Sequence, residues 1–281
     1  MYYGIVTAAV VMFAVQFFFS DRYEKESGND AAANFIYSIF SALAGMICLF
    51  IIGGFKLETT VFTVICAATA AVNAILFSFC SLKALNKINL SLYSLFSMLG
   101  GMMLPFLMGI LFYNEGITAG KIVCVILVTA SLALTVEKGG SKGGTLYYVG
   151  IFVLNGMSGV IAKIFESAPY EKTSASSYSL WIAILTAVFS IAVLLFMRDK
   201  VKKPSGKAVV YSFGGGALNQ VANFLLVIAL AVLPASVQFP FVTGGVMIAS
   251  TLIAFVCGQK PKKRELLAVA LSFAGVLALV I

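Results

Sequence analysis

Residues 90–113 read LSLYSLFSMLGGMMLPFLMGILFY, and residues 235–258 read ASVQFPFVTGGVMIASTLIAFVCG. An offset of 145 residues, which places residue 90 on residue 235, aligns the two stretches without a gap. The identical pairs include Ser91/Ser236, Phe96/Phe241, Gly100/Gly245 and Met102/Met247. Each stretch is apolar and long enough to cross a hydrocarbon layer of about 30 Å as a helix. The chain therefore contains one kind of membrane segment twice.

The same offset holds along the whole chain. It places Tyr2-Tyr3 on Tyr147-Tyr148, Phe79 on Phe224, and residues 132–134 on residues 277–279 (both Leu-Ala-Leu). Each copy contains five apolar stretches, and because five is odd, the second copy enters the membrane from the opposite side. The sequence therefore predicts an all-α integral membrane protein of ten transmembrane helices. The helices form two inverted five-helix repeats, related by a pseudo-two-fold axis in the membrane plane.

The predicted repeats are residues 1–136 and 145–281, joined by a glycine-rich, charged linker at 137–144. We predict membrane spans at residues 2–20, 31–52, 60–82, 89–112, 118–136, 145–165, 174–197, 208–233, 235–257 and 265–281. Because the connections between spans are short, we expect consecutive helices to pack as antiparallel neighbours. We expect a monomer or a weak homodimer in a bacterial inner or plasma membrane.

Composition narrows the class of protein. Hydrophobic residues make up 61% of the chain and charged residues 11%, against about 25% charged residues in soluble domains. The net charge of +8 is typical of cytoplasmic loops between membrane helices. We therefore expect the protein to contact membrane lipid and not to bind nucleic acid.

The sequence shows no catalytic constellation of side chains. The chain has no histidine, and its five cysteines all lie in apolar spans without a CxxC pair. This excludes a histidine-based triad and the commonest metal ligand, and it favours cysteines that act as small apolar residues. We expect neither an enzyme nor a metal or other cofactor.

The distribution of basic residues predicts the orientation. Of the 19 lysine and arginine residues, only Lys56, Lys121, Lys163 and Lys172 lie in or beside the even-numbered connections. The positive-inside rule then places the odd-numbered connections in the cytoplasm and both termini outside.

Polar side chains inside the spans are the candidate substrate-binding residues, because they are costly in lipid unless they face another helix or a cavity. The candidates are Gln16, Asn34, Ser38, Tyr93, Ser97, Asn155, Tyr178, Trp181, Asn219, Gln220, Asn223 and Gln238. For any single serine, a hydrogen bond to another helix is the better interpretation. The amides of Asn219, Gln220 and Asn223 share one helical face and are hard to satisfy by packing alone. We predict that they point into a central cavity, alongside Tyr93 and Gln238.

Two interpretations stay open for the aromatic and basic residues near the span ends. Trp181 is either an interfacial anchor or a stacking surface for a substrate ring or cation. Lys83 and Lys163 either extend to the headgroups, which we prefer, or bind an anion.

None of the 11 acidic residues lies in the middle of a span. An ionisable group at the bilayer centre costs at least about 2.5 kcal/mol, and proton-coupled carriers retain one because the proton must bind there. We therefore expect facilitated diffusion or substrate exchange. Glu115, at the edge of the fourth span, is the one acidic residue that remains a candidate for coupling.

A family pattern runs through residues 89–136 and 218–281: a short turn, Ala-Ser, an apolar helix, Gly-Glu and a closing helix. Pro234-Ala235-Ser236 matches the turn in the second half, and Glu115 matches the glutamate in the first. Gly258-Gln259 replaces Gly-Glu in the second half. In these features the chain resembles the drug/metabolite transporter superfamily, in particular its EamA-like ten-helix members.

The resemblance implies a ten-helix bundle with a central cavity lined by both halves. Members of the family move amino acids, other metabolites, sugar conjugates and drugs, often outward. Typical members keep both termini in the cytoplasm, which is the opposite of the orientation that the charges predict here. The four-helix multidrug relatives place a glutamate in their first helix. Gln16 stands in that region of this chain, so the resemblance does not imply their proton antiport.

Three functional hypotheses are compatible with the sequence. A polar but uncharged lining favours a transporter, and an exporter in particular, of a small neutral or zwitterionic metabolite such as an amino acid, working by alternating access. The first alternative is an organic-anion or phosphate-ester exchanger that uses Lys163 and Lys83. The second is a lipid scramblase or a non-transporting scaffold, and the repeat and the amide cluster disfavour the scaffold.

Overall fold

The computed structural model describes residues 2–28, 30–85, 90–134, 136, 145–197, 201–256 and 263–279. Within these ranges the chain is all-helical, with ten α-helices and no strand. The helices are α1 (Tyr2–Ser27), α2 (Ala31–Ile52), α3 (Val61–Leu85), α4 (Leu90–Tyr113), α5 (Ala119–Leu134), α6 (Thr145–Ser167), α7 (Ala175–Phe196), α8 (Gly206–Leu230), α9 (Ala235–Val256) and α10 (Lys263–Ala278). The predicted linker and the Gly258-Gln259 dipeptide lie outside the described residues.

The helix boundaries agree with the predicted spans to within about one turn, except at the end of α1. That helix was predicted to end at residue 20, but it continues to Ser27 through a charged segment. Lys25 and Asp21 form an i, i+4 ion pair at 2.6 Å, which favours helix. Tyr23 is buried, and its hydroxyl donates a hydrogen bond to the Ala33 carbonyl at 2.7 Å. Tertiary packing therefore extends the helix beyond its apolar stretch.

Eight of the described helices are long and apolar enough to cross a membrane, which makes this a multi-pass membrane protein. Ten spans were expected. The helices α5 and α10 have 16 residues each, or about 24 Å, which is less than a hydrocarbon layer of about 30 Å. These two short helices pack closely against each other, with Gly275 of α10 against the Cys124 carbonyl of α5.

The helices pack mainly across the two halves of the chain and much less between sequence neighbours. The expectation that consecutive helices would be antiparallel neighbours is therefore wrong for most of the bundle, with α9 and α10 an exception. A short connection limits the distance between two helix ends, but it does not choose which faces pack. Small residues make that choice here, because they let backbones approach closely in lipid.

The contacts between halves occur in matched pairs. Helix α1 packs on α8 and α9, and α6 packs on α3 and α4. Helix α2 packs on α8, and α7 packs on α3. The remaining large contacts between halves join α2 to α7, α4 to α9 and α5 to α10.

Glycines mark the closest of these approaches. A Cβ atom on Gly216 of α8 would overlap the backbone of Ser41 in α2. A Cβ atom on Gly100 of α4 would overlap the carbonyl of Phe152 in α6. Both positions require glycine because a neighbouring backbone occupies the space of a side chain.

Candidate functional site

The three adjacent amides of α8 have different surroundings. The Asn223 side chain is exposed, and its Nδ2 donates to Asn219 Oδ1 at 3.0 Å and to the Asn219 carbonyl at 2.9 Å. Gln220 is half-buried, and its side chain lies over Gly45 of α2. The predicted cluster therefore divides into an accessible asparagine pair and a glutamine in a helix contact.

The neighbours of Asn223 show where its exposed face points. Leu226 and Val227, one turn further along the same face, are both buried. Leu226 packs with residues of α1, and Val227 packs with Cys66 of α3 and with Phe165 and Tyr178 of α6 and α7. Asn223 is thus an exposed amide one turn from a buried contact with α1 and a buried contact with α3.

A chain of hydrogen bonds joins α1 to α2. Gln16 Nε2 donates to Ser20 Oγ at 2.7 Å, and Ser20 Oγ lies 2.9 Å from Tyr37 Oη in α2. A cavity of about 140 Å³ opens beside this chain, lined by Ser20, Tyr23, Glu24, Gly28, Asn34 and Tyr37. We call the end of the bundle that contains this cavity the basic end; residues 28, 30–34 and 201–205 lie there.

Gly215 connects the hydrogen-bonded chain to the asparagine pair. An added Cβ on Gly215 would lie 2.8 Å from Tyr37 Oη and 3.7 Å from the Gln16 carbonyl. Gly215, Asn219 and Asn223 follow at intervals of four residues, so they lie on one face of α8. Gly215 therefore lies beside the hydrogen-bonded chain, on the face of α8 that carries Asn219 and Asn223 one and two turns further along.

Several other candidates make contacts between or within helices. Asn155 Nδ2 of α6 donates to the Ser97 carbonyl of α4 at 2.6 Å, and Tyr93 Oη donates to Ser81 Oγ at 3.0 Å. Ser38 Oγ donates to the Asn34 carbonyl of its own helix at 3.0 Å.

Gln238 of α9 is fully buried, and its Nε2 donates to the Leu226 carbonyl of α8 at 2.9 Å. Its Oε1 has no partner among the described residues. This amide links α9 to α8 one turn from Asn223 and carries one unused acceptor.

Tyr178 and Trp181 lie at the opposite end of the bundle from the cavity. Tyr178 is buried and stacks on Phe165 with ring centroids 3.8 Å apart. The indole N–H of Trp181 donates to the Glu58 carbonyl at 3.1 Å. We call this the capped end: residues 53–60, 114–118, 168–174 and 231–234 meet here through the contacts described next.

Glu115 binds the first turn of α9 at the capped end. Its Oε1 accepts a hydrogen bond from the Ala235 amide at 2.9 Å, and its Oε2 accepts one from the Ser236 amide at 2.8 Å. The first amides of a helix have no partner within the helix and carry partial positive charge, so a carboxylate there is stabilising. Asn114 adopts a left-handed φ of 51°, which ends α4 and turns Glu115 back toward the bundle.

Two buried lysines complete this network. Lys163 Nζ of α6 lies 2.9 Å from Glu115 Oε1 and 5.1 Å from the centre of the Tyr113 ring. Lys121 Nζ of α5 donates to Ser236 Oγ at 2.7 Å and to the Gly116 carbonyl at 2.6 Å. Burial by itself would raise the pKa of Glu115, but the hydrogen bonds from Ser236, Lys163 and Ala235 outweigh it and lower the pKa.

Glu58 forms a second cap, on α7. The Ser174 amide donates to Glu58 Oε2 at 2.7 Å, and the Glu58 amide donates to Ser177 Oγ at 3.1 Å. The Ser174 amide is the main reason why the pKa of Glu58 is lowered, and Lys56 contributes in the same direction. Next to this cap, the Thr173 amide donates to Thr63 Oγ1 of α3 at 3.1 Å.

The sequence placed Glu115 at the edge of the fourth span as the one acidic candidate for coupling, did not predict its role as a cap of α9, and did not single out Glu58. The signal that could have found both is local. Ser174 and Pro234-Ala235-Ser236 begin helices whose first amides need acceptors, and the first half supplies carboxylates on connections at the same end.

The anion-exchange alternative depends on Lys163 and Lys83, and a metal site would need a group of ligand side chains. The ammonium of Lys163 is neutralised by Glu115, whereas Lys83 is exposed near the end of α3. In the described part of the chain, no group of three histidine, cysteine, aspartate or glutamate residues could hold a metal ion.

Comparisons with known proteins locate the fold. No family model matches this sequence, and no curated protein matches it. Among solved structures, a crystal structure described simply as that of a protein is similar to this chain with a TM-score of 0.79. The match covers 98% of this chain and 94% of that chain at 15% sequence identity, so it shows a shared fold and no more.

Proposed function

We propose that this protein is an alternating-access transporter built from two inverted five-helix repeats. The observation that carries the proposal is the matched packing of the halves. Suppose that α1–α5 of the first half correspond in order to α6–α10 of the second half. The contact of α1 with α8 then corresponds to that of α6 with α3. The contact of α1 with α9 corresponds to that of α6 with α4. The α2–α8 contact becomes α7–α3 in the same way, and all of these contacts are present. Inverted repeats of this kind are typical of secondary transporters, which move one repeat against the other around a fixed site.

We place the substrate site beside Asn219 and Asn223, in a cleft that we infer between α1 and α3. The supporting observation is the exposure of Asn223 between the buried residues Leu226 and Val227. The hydrogen-bonded chain of Gln16, Ser20 and Tyr37 supplies a polar route from the basic end to this cleft. Other candidates, such as Asn155 and Gln238, hold the helices that surround the site.

The substrate class follows from the charges along the route. The groups from Tyr37 to Asn223 are amides and hydroxyls, which can hydrogen-bond a neutral or zwitterionic solute but cannot neutralise a net charge. We therefore propose a small neutral or zwitterionic metabolite, such as an amino acid, that is moved outward across a bacterial inner or plasma membrane. The anion alternative needs a free Lys163, which Glu115 occupies. Membership of the drug/metabolite transporter superfamily fits this proposal and rests on the sequence pattern alone.

The test is uptake of a panel of labelled amino acids and other neutral metabolites into proteoliposomes. At least one panel member should accumulate faster than in protein-free vesicles, and Asn223→Ala should reduce that rate about tenfold. Thr69→Ala is the matched control, because Thr69 is an exposed span residue that donates to the Ile65 carbonyl of its own helix. Equal rates for wild type and Asn223→Ala would remove the site assignment. A silent panel together with transfer of labelled lipid would favour the scramblase.

A further inference from the structure

The proposed transporter needs a closed end as well as an open route, and the capped end has the features of a closed gate. One turn beyond Asn223 along α8 lies a buried group of side chains from four helices: Val227, Cys66, Phe165 and Tyr178. Phe165 and Tyr178 are each 1% exposed, and their rings are nearly parallel. We call this group the plug. It separates the asparagine pair from the capped end.

Three of the four plug helices are held outside the plug by two carboxylate caps: α3 and α7 by Glu58, and α6 by Glu115. Glu58 joins the α2–α3 connection of the first half to the start of α7 in the second half, with the Ser174 amide at 2.7 Å. Glu115 joins the α4–α5 connection of the first half to the start of α9, and it also binds Lys163 of α6. Each cap therefore crosses from one half to the other at the same end of the bundle.

We propose that Glu58 and Glu115 are the gate residues of the capped end, and that both caps must break before the plug can open. This inference rests on the proposed function, since a gate has meaning only in a protein that moves solute. Relative motion of the halves would separate α7 and α9 from the first-half carboxylates. The first amides of α7 and α9 would then lose their acceptors, and Lys163 would lose its counter-charge. Both losses raise the free energy of the open arrangement.

The geometry favours a gate over a merely structural contact for one reason. Carboxylate caps usually come from the capped helix itself or from the residue just before it. Here both come from the other half of the chain, from positions more than a hundred residues away in sequence. Such caps stabilise one arrangement of the two halves rather than the helices alone.

The native cysteines provide a readout that does not depend on transport. Cys66 is 6% exposed in the plug, five residues from the start of α3. Cys124 is fully buried between α5 and α10, also five residues from the start of its helix. A background that keeps only these two thiols (Cys48→Ser, Cys80→Ser, Cys257→Ser) reports plug opening at Cys66 and general loosening at Cys124.

The experiment measures the rate at which a membrane-impermeant maleimide labels each thiol in proteoliposomes at one fixed pH. Mass spectrometry identifies the labelled cysteine. In the variant Glu58→Gln/Glu115→Gln, Cys66 should label about tenfold faster, because charge-assisted hydrogen bonds at both caps are weakened, while Cys124 stays unlabelled. Glu171→Gln is the matched control: Glu171 is exposed on residues 168–174 of the same end, and its substitution should leave both rates unchanged.

A second variant covers the risk that an unpaired Lys163 disturbs folding. Glu58→Gln/Glu115→Gln/Lys163→Met removes the buried ammonium together with its partner, and it should show the same selective rise at Cys66. Unchanged labelling of Cys66 in both variants would overturn the gate assignment, and so would a parallel rise at Cys66 and Cys124. A selective rise at Cys66 alongside a silent transport panel would uphold the part of the inference that concerns the caps, namely that they hold the plug closed, and would contradict the proposed function.

Discussion

The carboxylate of Glu115, in the first half of the chain, lies 2.9 Å from the ammonium of Lys163 in the second half. Both side chains are more than nine-tenths buried. The same carboxylate also accepts the first amides of α9, so the α4–α5 connection of the first half meets α6 and α9 of the second half at one acidic group. This contact fixes how the halves are arranged at the capped end.

Removal of one member of this pair should destabilise the protein strongly. Lys163→Met leaves the Glu115 charge buried with only neutral donors, and we expect a loss of about 3 kcal/mol in the free energy of unfolding in detergent. Glu115→Gln/Lys163→Met should recover part of this loss. Lys172→Met is the control: Lys172 lies 3.3 Å from Glu166 in a more exposed pair, and its loss should cost less than about 1 kcal/mol. Equal losses for Lys163→Met and Lys172→Met would contradict the buried-pair account.

Acid should weaken both caps. The pKa of Glu58 and that of Glu115 are lowered in the fold, so each carboxylate stabilises the native state above the ordinary carboxyl pKa. That contribution is lost as the pH falls through the lowered folded-state pKa. The charged and titratable groups around the two caps are Lys56, Tyr113, Lys121, Lys163, Glu166 and Lys172.

The expected result is a melting temperature that falls between about pH 5 and pH 2 by more in wild type than in Glu58→Gln/Glu115→Gln. Thermal unfolding in detergent at each pH measures it. The same fall in both proteins would show that other groups control the acid response.

A proton gradient between pH 6 and pH 8 should not drive transport. The lowered pKa keeps Glu115 ionised throughout this range, so no proton is bound and released there. Uptake in proteoliposomes with and without the gradient should agree within a factor of about two. Strong acceleration that disappears in Glu115→Gln would identify Glu115 as a coupling residue.

An added methyl group at a glycine where two helices cross should lower the stability of the protein. Gly216→Ala places a Cβ against the Ser41 backbone, and we expect it to cost about 1–3 kcal/mol of stability through overpacking. Gly4→Ala is the control, since nothing lies within 4 Å of a Cβ at that position. Unfolding in detergent compares the two variants, and an unchanged stability for Gly216→Ala would refute the close approach of α2 and α8.

The sequence predicted the helices well because each one is encoded locally. Apolar length sets where a span begins and ends, and only α1 was extended by contacts from elsewhere, those of Tyr23 with Ala33. Helix pairing was not predictable in the same way, because it depends on faces that meet only in three dimensions. Short connections suggested neighbours, whereas glycines such as Gly216 and Gly100 select partners in the other half.

The candidate site shows the same division. Periodicity placed Asn219 and Asn223 on one face, but it could not show that Gln220 would be used against Gly45. The caps of Glu58 and Glu115 join residues more than a hundred positions apart, and no local pattern reports such a pairing. A single sequence shows only that the first amides of α7 and α9 need hydrogen-bond acceptors, and it does not show which residues supply them.

Alternating access is tested most directly by counterflow. Proteoliposomes loaded with a high concentration of one unlabelled panel metabolite are diluted into buffer that contains a trace of the same labelled compound. A carrier whose site faces one side at a time exchanges the two, so label should rise transiently above its equilibrium level inside the vesicles. Asn223→Ala should reduce this peak, and Thr69→Ala should not. A monotonic approach to equilibrium, without an overshoot for any panel member that enters, would contradict alternating access and leave a passive pore.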